Sequence, residues 1–213
     1  MCFVNRGVGM AETKHRVGIL GGTFDPIHIG HLMMAEAVRD EYELENVLFI
    51  PAAQPPHKLG RKISPAEDRY LMTVLATCSN RAFEVSDIEM RREGPSYSID
   101  TVRALMRASG GDTDYFFIAG TDVIREIHTW ERIKELLEIC PFIAASRPGC
   151  RPDVEKTREL LGDLGVRQIH LLNTPELEIS STDIRERVAR GASIRYIVPR
   201  EVEQYIYKKG LYR

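Results

Sequence analysis

The sequence has few cysteines, and their spacing argues against the usual cysteine-based sites. Four are present, at Cys2, Cys78, Cys140 and Cys150, with no C-x-x-C pair and no nearby histidine at zinc-finger spacing. A structural zinc site is therefore not indicated, and a disulfide framework is not expected in a chain of 213 residues. We interpret these residues as buried or inert thiols of a protein in the reducing cytoplasm.

An excess of charge of either sign is also missing, as are long apolar runs. The chain carries 29 Lys and Arg residues against 31 Asp and Glu residues, for a formal net charge of -2. Proteins that coat nucleic acid usually carry a strong basic excess, so we do not expect nucleic acid as a partner. No apolar run is long enough to cross a bilayer, so a membrane is not expected either.

Residues 1–14 lack any apolar periodicity. They contain no apolar stretch of the length that a secretory signal requires, and Met10 could equally be the true start. We interpret residues 1–14 as a disordered or dispensable leader. The rest of the chain shows no internal repeat, low-complexity tract or long linker, which predicts one domain over residues 15–213.

Short apolar runs alternate with longer amphipathic segments along this domain. The runs predict strands at residues 16–20, 47–51, 82–88, 115–120, 142–146 and 167–172. The amphipathic segments predict helices at residues 31–42, 64–78, 98–108, 129–138, 152–164, 181–191 and 199–210. Most of the runs are nearly continuous in apolar residues, which is typical of strands buried in a parallel sheet. The alternation predicts an α/β fold, a doubly wound parallel sheet with helices on both faces and a short C-terminal helical segment.

Capping residues mark the boundaries of two of these helices. Ser64 precedes Pro65, and Glu67 follows three residues after Ser64, which is typical of a capping box and predicts Ser64 as the N-cap. Pro199 and Gly210 are suited to begin and end the last helix.

The most informative segment is GGTFDPIHIGH, residues 21–31, which joins the first strand to the following helix. Gly21 and Gly22 allow a sharp turn and close approach to a ligand, and Gly30 leaves the helix start open to a phosphate. His28 and His31 share one face of a helical turn, where they can donate hydrogen bonds to phosphoryl oxygens. Glycine pairs alone are usually plain turns, and two histidines at this spacing can bind a metal. No third metal ligand is suggested at a supporting position, however.

A second segment, ISSTDIRERV at residues 179–188, places three hydroxyl side chains at a predicted helix start. Ser180, Ser181 and Thr182 can form an anion site with the free N–H groups there, and Arg185 can fork onto a phosphate. Taken alone, the pattern is equally typical of an N-cap followed by a solvated, charged helix.

Both segments resemble those of a known enzyme family. The sequence His28-Ile29-Gly30-His31 resembles the H-x-G-H signature of the nucleotidyltransferase superfamily, which includes class I aminoacyl-tRNA synthetases. With ISSTDIRERV near the C-terminus, the chain resembles bacterial nicotinate-mononucleotide adenylyltransferases over about residues 16–213. The resemblance implies a Rossmann-like nucleotidyltransferase domain that transfers an adenylyl group from ATP to nicotinate mononucleotide. The products would be nicotinate adenine dinucleotide and pyrophosphate, in a step of NAD biosynthesis.

The resemblance also implies where ATP binds. Segment 21–31, with Thr23 and Phe24, and the hydroxyls of segment 179–188 would hold the triphosphate. Mg²⁺ would be bound mainly by the ATP phosphates, with no ligand from the protein. Lys58, at the end of the loop PAAQPPHK, would reach over the phosphates, with His57 a weaker candidate. Gly120 and Asp122 follow the fourth strand, where Asp122 is suited to the ribose hydroxyls, and residues 146–149 would border the adenine.

The acceptor would bind at two further segments of the chain. By the same resemblance, Ser98 and the N–H group of Ile99 receive the carboxylate of the pyridine, and Trp130 stacks on its ring. Without the resemblance, a lone tryptophan is more often part of the core than a platform for a ligand.

Three other functions fit parts of the pattern. The acceptor could instead be nicotinamide mononucleotide or phosphopantetheine, although the tryptophan-bearing loop favours a pyridine nucleotide. A sensor that binds ATP without turnover would not need both His28 and His31. An RNA-binding synthetase fragment is disfavoured by the acidic net charge. ATP and nicotinate mononucleotide are the expected partners, and the sequence leaves the oligomeric state open, a homo-oligomer included.

Overall fold

The computed structural model describes residues 14–56, 63–146, 154–174 and 178–213. Its centre is a sheet of six strands in the order β3-β2-β1-β4-β5-β6, and every neighbouring pair is parallel. The strands are β1 His15–Gly22, β2 Asn46–Pro51, β3 Phe83–Val85, β4 Thr113–Gly120, β5 Phe142–Ser146 and β6 Ile169–Asn173. This order confirms the predicted doubly wound, Rossmann-like α/β fold.

Helices cover both faces of the sheet and enclose two cores. They are α1 Ile29–Glu41, α2 Ala66–Thr77, α3 Ser98–Ala108, α4 Thr121–Glu126, α5 Ile133–Ile139, α6 Val154–Gln168, α7 Ser181–Ala189 and α8 Arg200–Lys209. One core joins the sheet to α1, α2, α7 and α8, and the other joins it to α3, α4, α5 and α6. Successive strand residues serve opposite cores: Leu20 and Ile118 pack into the first, Ile19 and Phe117 into the second. None of the helices in the described ranges is long and apolar enough to cross a membrane.

Two predicted helix starts are wrong. Helix α2 begins at Ala66 with Pro65 as its N-cap, and Ser64 stands outside the helix, where its N–H group donates to Asp25 Oδ2 at 3.3 Å. The predicted helix at 129–138 begins only at Ile133, because Arg132 takes a left-handed φ of 52° and interrupts the turn before it. Between β4 and Trp130, the chain forms α4 and a short 3-10 helix, Ile127–Thr129, neither of which was predicted.

Smaller differences affect the strands and the termini. Strand β3 is shorter than the predicted 82–88, and β6 begins two residues later than the predicted 167. Of the predicted leader, only Lys14 lies in the described residues, and its ammonium group forms an exposed ion pair with Asp114 at 3.1 Å. Cys78 and Cys140 are free thiols, and burial raises the pKa of Cys140 to about 12, which makes it unreactive.

A buried arginine joins helix α2 to the loops at the edge of the sheet. Arg69 is only 1% exposed, and it lies on the same helix face as the core residues Met72 and Ala76. Its guanidinium donates hydrogen bonds to four backbone carbonyls, those of Thr23 at 2.8 Å, Ala52 at 2.6 Å, Ala53 at 3.2 Å and Ser64 at 2.9 Å. The turn after β1 and the loop after β2 are therefore held by one side chain.

We expect Arg69→Met to destabilise the fold far more than a surface change of the same type. The variant leaves buried carbonyls unpaired, at about 1–3 kcal/mol each, so the free energy of unfolding should fall by about 3 kcal/mol or more. Arg69→Lys should recover only part of the lost free energy of unfolding, because an ammonium group cannot donate to all of these separate carbonyls at once. Urea unfolding measures the change, with Arg107→Met at an exposed site on α3 as the matched control. Equal unfolding midpoints for Arg69→Met and Arg107→Met would contradict the role of Arg69.

Candidate active site

A cleft of about 830 Å³ lies over the carboxyl ends of the central strands. Its floor includes Leu20 from β1, Ile50 from β2, Ala119 from β4 and Ala145 from β5. The chain reverses its winding direction between β1 and β4, so the cleft occupies the switch point where open α/β sheets bind ligands. Eleven of the predicted site residues line it: Gly21, Gly22, Thr23, His28, Gly30, His31, Ser98, Gly120, Trp130, Ser180 and Ser181.

The turn after β1 is shaped by Phe24. A Cβ atom at Gly22 would lie 2.8 Å from Cε1 of Phe24, so only glycine fits beside this ring. Phe24 adopts a left-handed φ of 49° and is 3% exposed, with its ring edge-on to His31 at 5.1 Å between centroids. Phe24 is therefore packed beneath the histidine, and it does not belong to the described wall of the cleft.

His28 and His31 lie together at the start of α1. Their ring centroids are 3.7 Å apart with 31° between the planes, which confirms that both imidazoles share one face. The backbone N–H group of His28 donates to Nδ1 of His31 at 3.2 Å, and His31 N donates to the carbonyl of His28 at 3.0 Å. The first turn of the helix thus fixes the two rings relative to each other before any ligand binds.

Burial makes His28 a neutral imidazole. The residue is 7% exposed, its Nδ1 is buried without a hydrogen-bond partner among the described residues, and this burial lowers the pKa to about 4. A Cβ atom at Gly30 would lie 3.1 Å from that Nδ1, so Gly30 provides room for the ring. This is a second reason for glycine there, beside the open helix start that the sequence indicated.

The C-terminal segment 179–188 packs directly on the turn after β1. The Ser180 side chain accepts a hydrogen bond from the N–H group of Asp183 at 3.1 Å, which makes it the N-cap of α7. The Ser181 hydroxyl donates to the carbonyl of Pro26 at 2.9 Å. Arg185 donates to the carbonyl of Asp25 at 2.7 Å and to the Thr182 hydroxyl at 3.1 Å. Ser180 and Ser181 line the cleft, whereas Thr182 and Arg185 stand behind its described wall.

The other end of the cleft is formed by α3 and Trp130. Ser98 is the first residue of α3, so its N–H group and that of Ile99 belong to the helix start and need partners from outside the helix. The Ile99 side chain is buried in the core beneath. Trp130 lines the cleft and also contacts Phe117 edge-on, at 5.6 Å between ring centroids. It is thus both a part of the second core and an exposed wall.

A polar cluster behind this helix start was not predicted. Glu89 is 7% exposed and lines the cleft, and burial raises its pKa. Its Oε1 accepts a hydrogen bond from the Thr101 hydroxyl at 2.7 Å, and Arg92 donates to the carbonyl of Tyr97, the N-cap of α3, at 3.4 Å. Both residues belong to the charged run DIEMRRE, which is typical of an exposed loop, so no local signal could have marked them.

Some predicted residues lie outside the described part of the chain. His57, Lys58 and residues 147–149 are in this group, and only the backbone of Asp122 and Ser146 is described. Among the described residues, no group of three or more His, Cys, Asp and Glu side chains is arranged to hold a metal ion.

The strand order, the switch-point cleft and the glycine-rich turn into α1 define a nucleotidyltransferase of the Rossmann-like class. In agreement, the profile of the Cytidylyltransferase-like family matches residues 19–187. A Thermoanaerobacter sp. (strain X514) protein named "Probable nicotinate-nucleotide adenylyltransferase" is 50% identical over 207 residues, which are 95% of this chain and 96% of that protein. A Moorella thermoacetica protein of the same name is 51% identical over 199 residues, 93% of this chain and 92% of the other. The chain therefore belongs to the cytidylyltransferase-like family and, within it, to the nicotinate-nucleotide adenylyltransferases.

A solved structure supports the fold. The Plasmodium falciparum nicotinic acid mononucleotide adenylyltransferase complexed with NaAD superimposes with a TM-score of 0.76 at 19% identity, covering 93% of this chain and 97% of that one. At this identity, the likeness concerns the fold alone.

The buried state of His28 should make stability depend on pH. Its pKa is about 4 in the folded protein and near 6.5 when exposed, so between these values the unfolded chain binds a proton that the folded chain excludes. Stability is therefore lost as the pH falls from about 6.5 to about 4, by about 3 kcal/mol at most.

The measurement is the free energy of unfolding at pH 7 and at pH 4, for wild type, His28→Gln and the exposed-site control His128→Gln. The loss should be smaller by about 3 kcal/mol in His28→Gln than in the other two proteins. An equal loss in all three would show that His28 is accessible to protons in the folded state.

Proposed function

We propose that residues 15–213 form a single nucleotidyltransferase domain that transfers the adenylyl group of ATP to nicotinate mononucleotide. The observation that carries the proposal is the fixed pair His28 and His31, at a helix start above the switch point of the sheet. The curated relatives support the choice of acceptor through their names. The products are nicotinate adenine dinucleotide and pyrophosphate, and the reaction is a step of NAD biosynthesis.

The reaction needs no nucleophile from the protein. An oxygen of the 5′-phosphate of the mononucleotide attacks the α-phosphorus of ATP, and the bond from that phosphorus to the bridging oxygen of the β-phosphate breaks. Pyrophosphate leaves with the bonding electron pair. Because the attacking group is already an anion, catalysis consists of positioning the two nucleotides and stabilising the charge that develops on the α-phosphoryl oxygens.

His28 and His31 are placed for that stabilisation. A neutral imidazole has one N–H group, and this group can donate a hydrogen bond to a phosphoryl oxygen. The helix start of α1 adds its free N–H groups and its partial positive charge at the same position. The backbone holds the His31 ring, and the His28 ring packs against it, so little reorganisation is needed as charge builds up.

The rest of the triphosphate would lie along the C-terminal segment. Ser180 and Ser181 line the cleft and can donate to phosphate oxygens, and Arg185, with Thr182, stands next to them. In this proposal, Arg185 and Lys58 bind the outer phosphates, and Asp122 binds the ribose of ATP near Gly120. ATP would enter with Mg²⁺ bound to its phosphates and to water. The metal would neutralise part of the charge of the triphosphate.

The acceptor would lie between Trp130 and the start of α3. A carboxylate there can accept from the Ser98 hydroxyl and from the free N–H groups at residues 98 and 99. Glu89 lies nearby, its Oε1 accepts a hydrogen bond from the Thr101 hydroxyl, and burial raises its pKa. The free thiols Cys78 and Cys140 support a reducing cytoplasm as the location.

The preference for the acid over the amide tests the proposed acceptor. Nicotinamide mononucleotide would turn an NH₂ donor toward other donors, and each buried group left unpaired costs about 1–3 kcal/mol. We therefore expect kcat/KM, measured by pyrophosphate release, to be at least about tenfold higher with nicotinate mononucleotide. Trp130→Ala should weaken both acceptors by a similar factor, since stacking does not distinguish the two substituents. Equal use of both acceptors by wild type would contradict nicotinate mononucleotide as the preferred acceptor. Only the proposal of adenylyl transfer would then remain.

The two histidines can be tested one at a time. We expect His28→Ala and His31→Ala to lower kcat by roughly 10²–10³-fold each, as for the loss of one donor to a transition state. Circular dichroism should show an unchanged fold at pH 7, and His170→Ala on the edge strand β6 is the control. If either variant kept a kcat within a few-fold of wild type, that histidine would have no part in the mechanism.

A further inference from the structure

The last residues of the chain return to the turn that carries the histidines. Helix α8 ends at Lys209, and Gly210 reverses the chain with a φ of 66°. Tyr212 also adopts a left-handed φ, of 65°, which is uncommon for a residue with a large side chain. Such a conformation persists only where surrounding contacts hold it. The contacts of Tyr212 therefore identify what the end of the chain does.

The Tyr212 hydroxyl donates to Oδ1 of Asp25 at 2.7 Å. Asp25 is 2% exposed, and its other carboxylate oxygen accepts from the N–H group of Ser64 at 3.3 Å. Burial, together with the neighbouring Asp25, raises the pKa of Tyr212, so the hydroxyl keeps its proton and remains a donor. A hydrogen bond to a carboxylate in a buried site is stronger than a bond between neutral groups.

Asp25 lies three residues before His28, and both its backbone and its side chain accept hydrogen bonds. Its backbone carbonyl accepts from Arg185 at 2.7 Å, while its side chain binds Tyr212 and Ser64. Ile27, between Asp25 and His28, is completely buried. Because only two residues separate Asp25 from His28, we expect a displacement of Asp25 to shift the first turn of α1.

We propose that Tyr212 is a positioning residue, whose bond to Asp25 sets the place of the His28 imidazole in the cleft. The inference rests on the proposed function where it concerns rate, but the position of His28 can be measured without any substrate. The chain also offers a matched control. Tyr205 on α8 donates to Oδ1 of Asp68 at the same distance of 2.7 Å, and neither residue lines the described cleft.

The experiment compares Tyr212→Phe with Tyr205→Phe. Each change removes one hydroxyl from a Tyr–Asp bond that ties the C-terminal part of the chain to the rest. We expect Tyr212→Phe to lower kcat by roughly 10–100-fold, with KM for both nucleotides within a few-fold of wild type, because misplacing a group that acts in the transition state affects turnover. Tyr205→Phe should keep kcat close to that of wild type.

The readout without substrate is the titration of the His28 ring, followed by NMR. In wild type and Tyr205→Phe, it should titrate near pH 4. In Tyr212→Phe, the midpoint should move toward the ordinary value of about 6.5, because a loosened ring gains contact with water. This result would stand even if the proposed acceptor were wrong. Unchanged titration in Tyr212→Phe, or equal changes in both variants, would overturn the proposal.

A double-mutant cycle tests whether Tyr212 affects kcat through its hydrogen bond to Asp25. Asp25→Asn alters the acceptor of the same hydrogen bond, so its loss of kcat should not add to that of Tyr212→Phe. Losses that multiply in the double variant would show that Tyr212 acts through another contact, and would equally overturn the proposal.

Discussion

The burial of one guanidinium group under backbone carbonyls is the constraint on which the site depends. Arg69 reaches from α2 to the turn after β1 and to the loop after β2, which lie on adjacent strands at the carboxyl edge of the sheet. Carbonyl groups in such loops have no strand partner, and a buried cation without acceptors would be costly. The guanidinium therefore supplies the donors that the carbonyls need, and the carbonyls supply the acceptors that the guanidinium needs. The turn at 21–24, which Phe24 shapes, is thereby held at the carbonyl of Thr23, and Thr23 lines the cleft.

The same turn is held from the opposite side by the C-terminal part of the chain. Asp25 and Pro26 accept hydrogen bonds from Ser181, Arg185 and Tyr212, although more than 150 residues separate these donors from the turn. The two segments that we propose to bind phosphate, near opposite ends of the sequence, are thus joined by hydrogen bonds in the folded protein.

Charge in the cleft is controlled by burial. Burial lowers the pKa of His28 to about 4, and burial raises the pKa of Glu89. In both groups, burial thus disfavours the charged form. A site of this kind recognises nucleotides by the positions of donors, and the phosphates bring most of the charge themselves.

The sequence by itself determined the order of the strands and of most helices, and it marked the two segments that we propose to carry the chemistry. Apolar runs and amphipathic periods are local properties, so β1, β2, β4 and β5 were predicted to within a few residues. The prediction that His28 and His31 share one face came from their spacing, and the structure confirms it. Only the tertiary structure decided which polar groups meet. The i, i+3 and i+7 spacing of Arg69, Met72 and Ala76 placed an arginine on an apolar face, yet its four carbonyl partners come from two separate connections. The prediction of Ser64 as an N-cap was wrong, and Glu89 was not predicted, for the same physical reason. A buried polar side chain is stabilised by whichever distant groups the fold brings within hydrogen-bond reach, and no local pattern records them.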